Sequence, residues 1–362
     1  MCELSPMRQI CIAWLIILLF TTYPINLWAE NRIGLSVKGK VTDSKTGKPI
    51  PDVNVYLSGT TYGSATDKDG RYIIEFILPG THILVASHIG YFLQTLEVEC
   101  YKAQEYKFDF MLKPRVLQTT GIGISAPHAN EWKKHLKTFS RLFLGESDNA
   151  KDCKMLNPEV LEFDVDEQSG NFVAKSDSIL RLENQSLGYK VYIVIESFLW
   201  IKNLNRLQYM VYPRFETMRD QNRNVHKKWI KRRRQTFRGS YRHFLKSLVQ
   251  NRLVDDGFDL FPIVDTFVEP EYVSGLHFRN YFKRFISADT LGMRRLRFKD
   301  YLYVVYRGRR DPIKSYLKLA GHVESVIIDT LGNCHTPFGL EKSGDWGNAR
   351  IADELPLDWI ER

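Results

Sequence analysis

The chain has 362 residues, of which 44% are hydrophobic and 26% are charged, and its formal net charge is +9 at pH 7. This composition excludes a disordered or fibrous chain, and the length is sufficient for two compact domains. A surplus of basic residues favours anionic partners, because a cationic surface attracts phosphate, sulfate and carboxylate groups.

Residues 1–29 have the pattern of a secretory signal peptide. Arg8 precedes the apolar stretch 10–20, and a small residue, Ala29, stands before a polar segment. These three features are typical of a cleaved leader. An uncleaved membrane anchor is the alternative, but it needs about twenty apolar residues, and Pro24 and Asn26 interrupt the stretch. We therefore expect an exported protein, which meets little nucleic acid, so anionic lipid or acidic polysaccharide becomes the better partner for the positive charge.

Three cysteines follow the leader, namely Cys100, Cys153 and Cys334. They are too few and too scattered to form a disulfide framework. We expect all three to be buried among apolar residues, and the alternative of one disulfide pair stays open.

Residues 37–99 have the pattern of seven short β-strands with little sequence between them. Apolar or small residues recur at every second position, which places one face of each strand in a core: Val37, Gly39, Val41, Val53, Val55, Leu57, Tyr72, Ile74 and Phe76. Turn sequences separate the runs, at 46–49, 67–70 and 78–80. The stretch 106–112 is predicted to add the last strand. The pattern predicts a mainly β fold that begins with a seven-stranded, antiparallel, Greek-key-like sandwich over residues 35–113.

The order of these features resembles a known family. The landmarks are GKVTDSKTGKPIPDVNVYL at 39–57, ATDKDGRY at 65–72, LPGT at 78–81 and SHIGY at 87–91. They are similar to the carboxypeptidase regulatory-like domain, which has a transthyretin-like (prealbumin-like) β-sandwich. The resemblance implies a fold and no catalytic residue, because the chemistry of the metallocarboxypeptidases lies in a separate domain. The family often stands at the N-terminus of bacterial envelope proteins, so the resemblance implies a periplasmic or outer-membrane-associated location.

A linker is predicted at 114–130, followed by one α+β domain at 131–362. Two stretches have a helical apolar stripe, at 131–143 and 240–255, and five stretches are predicted strands, at 178–184, 190–200, 207–215, 296–306 and 323–329. Helices of this kind need a sheet to cover their apolar faces, so we expect an antiparallel sheet with helices packed on it. Several short motifs are also similar to a C-terminal region that often accompanies the sandwich in uncharacterised envelope proteins: FLGES at 143–147, LNP at 156–158, EN at 183–184, LGY at 187–189, RGS at 238–240, HFL at 243–245, IAD at 351–353 and LPL at 355–357.

The run KKWIKRRR at 227–234 is the strongest polar anomaly of the chain. One hypothesis is an anion-binding face, with arginines on phosphate or sulfate and Trp229 stacked or inserted at a membrane interface. The alternative is a solvated polar approach to the helix at Ser240. The candidate anion-binding residues are Lys231, Arg232, Arg233, Arg234 and Arg238.

No other motif predicts chemistry. No histidine pair has the spacing of a zinc hydrolase, and neither a nucleophile elbow nor a phosphate loop is present. The acidic stretches 67–70 and 164–167 are predicted to be turns, with calcium loops as the weaker alternative. Cys334-His335 is predicted to be a buried cysteine beside a loop histidine. We therefore expect no catalytic residue, no metal and no cofactor.

Three functions remain. The first is a non-enzymatic envelope protein, in which the sandwich is a structural or binding module and the second domain contacts protein or glycan. The second is an unrecognised hydrolase with its site in the second domain. The third is an accessory protein on an anionic membrane surface that acts through the basic run at 227–242. The sequence favours the first, because no set of nucleophile, base and oxyanion donor can be assembled from named residues.

Overall fold

Two β-sheets around one apolar core form the N-terminal part of the computed structural model, which describes residues 34–115, 126–263 and 285–361. The predicted signal peptide lies outside the described residues, as does most of the predicted linker. Eight strands build the two sheets: β1 Ser36–Asp43, β2 Asn54–Leu57, β3 Gly63–Ala65, β4 Arg71–Ile74, β5 Gly80–Ser87, β6 Gln94–Cys100, β7 Glu105–Lys107 and β8 Phe110–Leu112. One sheet has the order β4-β1-β7 with β8 also on β1, and the other has the order β3-β2-β5-β6. The predicted sandwich is confirmed, with eight strands instead of the predicted seven. The alternating residues Val37, Val41, Val53 and Val55 are buried in its core, whereas Phe76, predicted to face the core, is 73% exposed.

The last predicted strand divides into β7 and β8, and both pair with β1 in parallel, whereas the other pairs of the sandwich are antiparallel. Between them the backbone of Phe108 crosses Gly39, and a Cβ atom on Gly39 would lie 1.7 Å from the Phe108 carbonyl oxygen. This carbonyl accepts a hydrogen bond from the Tyr72 hydroxyl at 2.7 Å. A glycine is therefore required at position 39, because only a residue without a side chain admits the second strand so closely.

A six-stranded antiparallel sheet follows the sandwich. Its strands are β9 Cys153–Met155, β10 Leu161–Val165, β11 Phe172–Ser176, β12 Leu180–Asn184, β13 Tyr189–Ile201 and β14 Arg206–Thr217. The order is β10-β11-β13-β12-β9, and β14 pairs with β13. Helices α1 (Ala126–Leu144) and α2 (Asp148–Lys151) precede it. Phe139 and Phe143 of α1 are buried against Phe198 of the sheet, with ring centroids 4.9 and 6.1 Å from that of Phe198.

The remaining elements surround a third core. Helices α3 (Arg223–Phe237) and α4 (Tyr241–Val249) lead into β15 Phe258–Ile263, β16 Ile286–Ala288, β17 Arg294–Leu296, β18 Tyr301–Tyr306, β19 Ile313–Leu319, β20 Val326–Ile328, β21 Leu340–Gly344 and helix α5 (Asp345–Asn348). Strands β15-β18-β19-β21 form a four-stranded sheet, and β16-β17-β20 form a three-stranded sheet. Short 3-10 turns lie at Pro158–Val160, Lys202–Leu204, Thr290–Gly292 and Ile351–Asp353. Among the described residues, no helix combines the length and the apolar character that a membrane span requires.

The α+β class predicted for the second region is confirmed, with differences in detail. Instead of one sheet there are three. The predicted strand 296–306 is broken at Asp300, whose φ is 55°, and its two ends join the three-stranded and the four-stranded sheet. Helix α1 begins at Ala126, earlier than predicted and inside the predicted linker, and α4 ends at Val249 instead of Asp255. The domain boundaries themselves stay a prediction.

The C-terminal segment 351–361 connects all three cores. Ile351, Ala352 and Leu355 are part of the core under α1, and the Asn184 side chain donates to the Ala352 carbonyl at 2.9 Å. The segment then meets the sandwich, where the Leu357 amide donates to the Gly59 carbonyl at 2.7 Å. The landmark motifs at 183–184 and 351–353 are thus brought together by a hydrogen bond.

Arg242 of α4 holds the same segment from the other side. Its guanidinium donates to the carbonyls of Pro356 at 2.6 Å, Leu355 at 3.4 Å and Leu357. A guanidinium offers five N–H donors in a fixed fork, so one side chain donates to three consecutive peptide carbonyls. The Pro356 carbonyl also accepts the Trp359 amide at 2.9 Å. Helix α4 is therefore fastened to the segment that reaches the sandwich.

We predict that Arg242→Met lowers the free energy of unfolding by roughly 2–4 kcal/mol, because the carbonyls of 355–357 lose a charged donor. Urea denaturation followed by tryptophan fluorescence measures the change. Arg252→Met is the matched control, since Arg252 makes an exposed ion pair with Asp256 at 2.8 Å, which contributes at most about 1 kcal/mol. Equal losses in the two variants would contradict the role given to Arg242.

Candidate functional site

The five predicted anion-binding residues lie on or just after helix α3, which the sequence did not predict. The helix begins after Asn222, whose side chain accepts the Asn224 amide at 2.9 Å, and it contains no acidic residue. Lysine, arginine and glutamine have high helix propensity. The polar run before Ser240 therefore forms a helix of its own, and Lys227, Lys228 and Lys231 on it are exposed to solvent.

Trp229 is 4% exposed, so it is not available for insertion into a membrane, and that part of the hypothesis is wrong. Its indole N–H donates to the Gln185 carbonyl at 2.8 Å. The ring covers Gly188, where φ is 66° and a Cβ atom would lie 2.2 Å from the indole. Trp229 thus anchors α3 to the turn between β12 and β13.

Arg233 reinforces the same anchor. Its Nε donates to the Leu187 carbonyl at 2.7 Å and its Nη2 to the Gly188 carbonyl at 3.1 Å. The guanidinium stacks over the Tyr189 ring at 3.9 Å from the centroid, a cation–π contact. Burial lowers the pKa of Arg233 below its ordinary value. Its donors are committed to protein carbonyls, which argues against a role in binding anions.

The other four candidates do not converge on one point. Arg234 and Arg238 both face Glu361, with Nε atoms 3.4 and 2.7 Å from its carboxylate oxygen, and Arg232 lies 3.9 Å from Asp148. Lys231 is exposed. The basic surface of α3 that faces solvent is instead formed by Lys227, Lys228 and Lys231 around Ile230, which is 52% exposed. We call these four residues the lysine face.

Arg233→Gln should cost roughly 1–3 kcal/mol of the free energy of unfolding, because the buried Leu187 carbonyl loses its charged donor. The Gly188 carbonyl keeps only the Met218 amide, at 3.0 Å. Lys231→Gln, two positions earlier in the same run but exposed, should change this free energy by no more than about 0.5 kcal/mol. Chemical denaturation of both variants measures the difference. If the two substitutions have the same effect, Arg233 does not hold the turn.

A cleft at one end of the sandwich collects the family motifs. The loops 43–52 and 88–91 enclose a volume of about 400 Å³. Asp43 organises the first loop by accepting the amides of Lys45 and Thr46, each at 2.8 Å, and it also accepts the Tyr91 hydroxyl at 2.9 Å. The hydrogen bond from the Thr46 amide is the main reason that the pKa of Asp43 is lowered. The sequence motifs TGKPIP and SHIGY therefore meet in space because Asp43 binds both loops.

Exposed apolar side chains lie on the second of these loops and directly after it. Ile89 is 75% exposed and Phe92 is 54% exposed, while His88 lines the cleft with an edge-to-face contact to Tyr91 at 5.3 Å. The Phe92 amide donates to the Lys113 carbonyl at 2.9 Å, which fixes the loop to the chain beyond β8. A fixed loop with exposed apolar residues is suited to binding, because little conformational entropy is lost when a partner docks.

The acidic stretch 67–70 is a turn, whereas the stretch 164–167 begins in strand β10, which contains Asp164, and ends in a turn. Asp67 accepts the amides of Asp69 and Arg71 at 2.9 and 2.8 Å, and Asp166 accepts the amide and hydroxyl of Ser169 at 2.7 and 2.6 Å. In each, one carboxylate oxygen is occupied by local donors, as in an Asx turn. In the part of the chain that the structure describes, no cluster of three or more metal-ligating side chains occurs.

The cysteines and His335 have structural surroundings. Cys100, Cys153 and Cys334 are free thiols, of which Cys100 is buried and the other two are half-buried. Burial raises the pKa of Cys153 to about 12 and that of Cys100 to about 11, and it also raises that of Cys334. A protonated thiol is a poor nucleophile. His335 contacts the buried Asp329 at 3.1 Å, so Cys334-His335 is a half-buried cysteine beside an anchored loop histidine.

Comparison with known proteins identifies the sandwich. The family model described as "CarboxypepD_reg-like domain" matches residues 37–122. The TonB-dependent receptor P39 of Formosa agariphila is 37% identical over 92 residues, which are 25% of this chain and 8% of the receptor. The TonB-dependent receptor P3 of the same organism is 36% identical over 63 residues, 17% of this chain and 6% of the receptor. The chain thus spans less than a tenth of the length of these relatives.

Among solved structures, a putative carbohydrate binding protein from Bacteroides uniformis is 13% identical, with a TM-score of 0.18, and the match covers 50% of this chain and 78% of that one. A TM-score this low carries no information about function. The family match, the relatives and the observed strand order agree on the N-terminal part. Residues 37–122 of this chain are a CarboxypepD_reg-like domain.

Proposed function

We propose that this protein is an exported, non-enzymatic component of the bacterial cell envelope. In this proposal the CarboxypepD_reg-like domain is a rigid binding module, and the region 131–362 contacts protein or glycan. Export is supported by the leader pattern of residues 1–29. The absence of a catalytic role is supported by the raised thiol pKa values and by the structural bonds of Arg233, Asp329 and His335.

The cleft at the end of the sandwich carries the proposal. Its motif residues are engaged in shaping the loops, and Ile89 and Phe92 are left exposed beside it. Exposed apolar side chains next to a cleft that has both apolar and polar lining residues are a combination that binding surfaces use, because the apolar groups supply affinity and the polar groups orient the partner.

The sandwich is held firmly enough to present this cleft. Strand β2 begins beside the cleft and leads to the turn 58–62, which pairs with the edge strand β14: the Gly59 amide donates to the Pro213 carbonyl at 2.6 Å, and the Phe215 amide to the Thr60 carbonyl at 2.9 Å. Backbone hydrogen bonds of this kind extend the six-stranded sheet into the sandwich. A partner bound at the cleft would therefore be held at a fixed position relative to the second region.

Photo-cross-linking in living cells tests the binding site. With p-benzoylphenylalanine in place of Phe92, illumination should attach an envelope protein or a glycan to the chain, because Phe92 is exposed and directly follows Tyr91, which lines the cleft. The matched control places the same amino acid at Met111, which is 69% exposed on strand β8 and lies outside both loops of the cleft. The absence of an adduct at position 92, or the same adducts at both positions, would refute the cleft as the binding site.

The lysine face supports a second candidate function, binding to an anionic membrane surface. Lys227, Lys228 and Lys231 are exposed around Ile230, and basic residues near an anionic bilayer contribute about 1 kcal/mol each. An apolar residue among lysines matches the interface between head groups and acyl chains. This surface differs from the arginine site that the sequence predicted, since it uses only one of those five residues.

Substitution of the three lysines by glutamine should weaken binding to phosphatidylglycerol vesicles roughly hundredfold, because each lysine contributes about 1 kcal/mol to the binding free energy. A control variant replaces three exposed lysines elsewhere, Lys68, Lys102 and Lys299, and should bind nearly as the parent protein does. Vesicle sedimentation measures both variants. Equal weakening in the two variants would show that binding depends on the net charge of the protein and not on the lysine face. If the parent protein does not bind the vesicles, membrane binding is refuted as a function.

A further inference from the structure

A groove lies between the C-terminal half of α1 and strand β9. Its volume is about 800 Å³, which is sufficient for several residues of an extended chain. Helix α1 and strand β9 contribute its walls, with Leu136, Ser140 and Leu144 on one side and Cys153, Lys154 and Met155 on the other. The groove lies in the second region and shares no lining residue with the cleft of the sandwich.

The groove is strongly basic. Four of its lining residues are cationic, namely Lys137, Arg141, Lys151 and Lys154, and Glu146 is the only acidic residue among those that line it. Lys151 also forms an exposed ion pair with Asp148 at 2.9 Å. Such a surface attracts a partner that carries carboxylates, sulfates or phosphates, and it repels a basic partner.

The backbone of β9 identifies the kind of partner. The Asp152 carbonyl accepts the Gln185 amide at 3.0 Å, and the Leu156 amide donates to the Arg181 carbonyl at 2.8 Å. Because backbone groups alternate in direction along an antiparallel strand, the N–H and C=O groups of Cys153 and Met155 point away from β12. Strand β9 stands at the end of the sheet order, and within the described ranges no strand pairs with it on that side.

We propose that this groove binds an extended acidic segment of a partner protein, which adds to β9 as a further strand and places its carboxylates on the four basic side chains. An edge strand offers alternating donors and acceptors that another peptide backbone satisfies. A phosphate or a sugar could neutralise the lysines, but it would not reproduce that spacing of donors and acceptors. The inference rests on the proposed function, since it names how the second region contacts protein.

The test uses the purified protein and a fluorescein-labelled peptide of four Glu-Val repeats, with binding followed by fluorescence anisotropy. We expect saturable binding that weakens as salt is added. The peptide of four Lys-Val repeats should not bind, because it carries the wrong charge. A Glu-Val peptide methylated on every backbone nitrogen should lose binding, because it keeps the charge but lacks the donors that strand addition requires on either edge.

Variants of α1 locate the site. Lys137→Gln with Arg141→Gln should weaken the peptide roughly tenfold, since both side chains line the groove. Lys133→Gln with Lys134→Gln removes the same charge from exposed positions of the same helix that do not line it, and should leave binding unchanged. Equal effects of the two double variants would overturn the site.

Two further results would overturn the proposal. One is full binding of the N-methylated peptide, which would show attraction between charges without strand addition. The other is tight binding of an oligoglucuronate at the groove residues with no binding of the Glu-Val peptide, which would make the occupant a glycan. Either result leaves the cross-linking at Phe92 unaffected, so failure of this inference can be told apart from failure of the proposed function.

Discussion

The hydrogen bonds from Arg242 to the carbonyls of 355–357 are the interaction on which the position of the C-terminal segment, and of the elements that it contacts, depends. The C-terminal segment contributes Ile351 and Leu355 to the core under α1, and a residue later in the segment donates to Gly59 of the sandwich. Arg242 belongs to the helix that covers the third core. One half-buried cation thus holds the segment that contacts two of the hydrophobic cores on a helix of the third, in addition to the backbone hydrogen bonds between the turn 58–62 and β14.

Other polar side chains in the second region also form structural hydrogen bonds. Asp353 accepts the Ser147 hydroxyl and the Asn149 amide group, each at 2.8 Å, and the Trp346 indole N–H donates to the Gly239 carbonyl at 2.8 Å. Side chains that appear suited to chemistry in a sequence are here donors and acceptors for loops and turns. That arrangement is expected where irregular backbone is buried, because each buried peptide group requires a partner.

The sandwich could be predicted from sequence because its signals are local. Alternation of apolar residues and turn glycines such as Gly70, with φ of 73°, act within a few positions, and the family motifs add to them. Helix α3 has no such signal. Trp229 and Phe237 are its buried residues, eight positions apart, so no apolar stripe marks the helix.

The candidate site shows a second limit of prediction from the sequence. Lys231 and Arg233 are two positions apart in one basic run, yet the first is exposed and the second is committed to the Leu187 and Gly188 carbonyls. The difference depends on where the turn after β12 comes to lie, and that is determined by contacts more than forty positions away in the chain. The groove beside β9 depends on sheet order in the same way, since a strand of three residues gives no sequence sign that it stands at an edge.

The hydrogen bond from the Thr61 amide to the Asp358 carboxylate, at 2.8 Å, joins residues 297 positions apart. Closing so long a loop has an entropic cost that must be met before the contact can stabilise anything, and proteins rich in such contacts fold slowly. For the exported protein proposed above, slow folding has a benefit: the polypeptide remains extended for longer, which is the state in which it could be threaded through a narrow translocation channel.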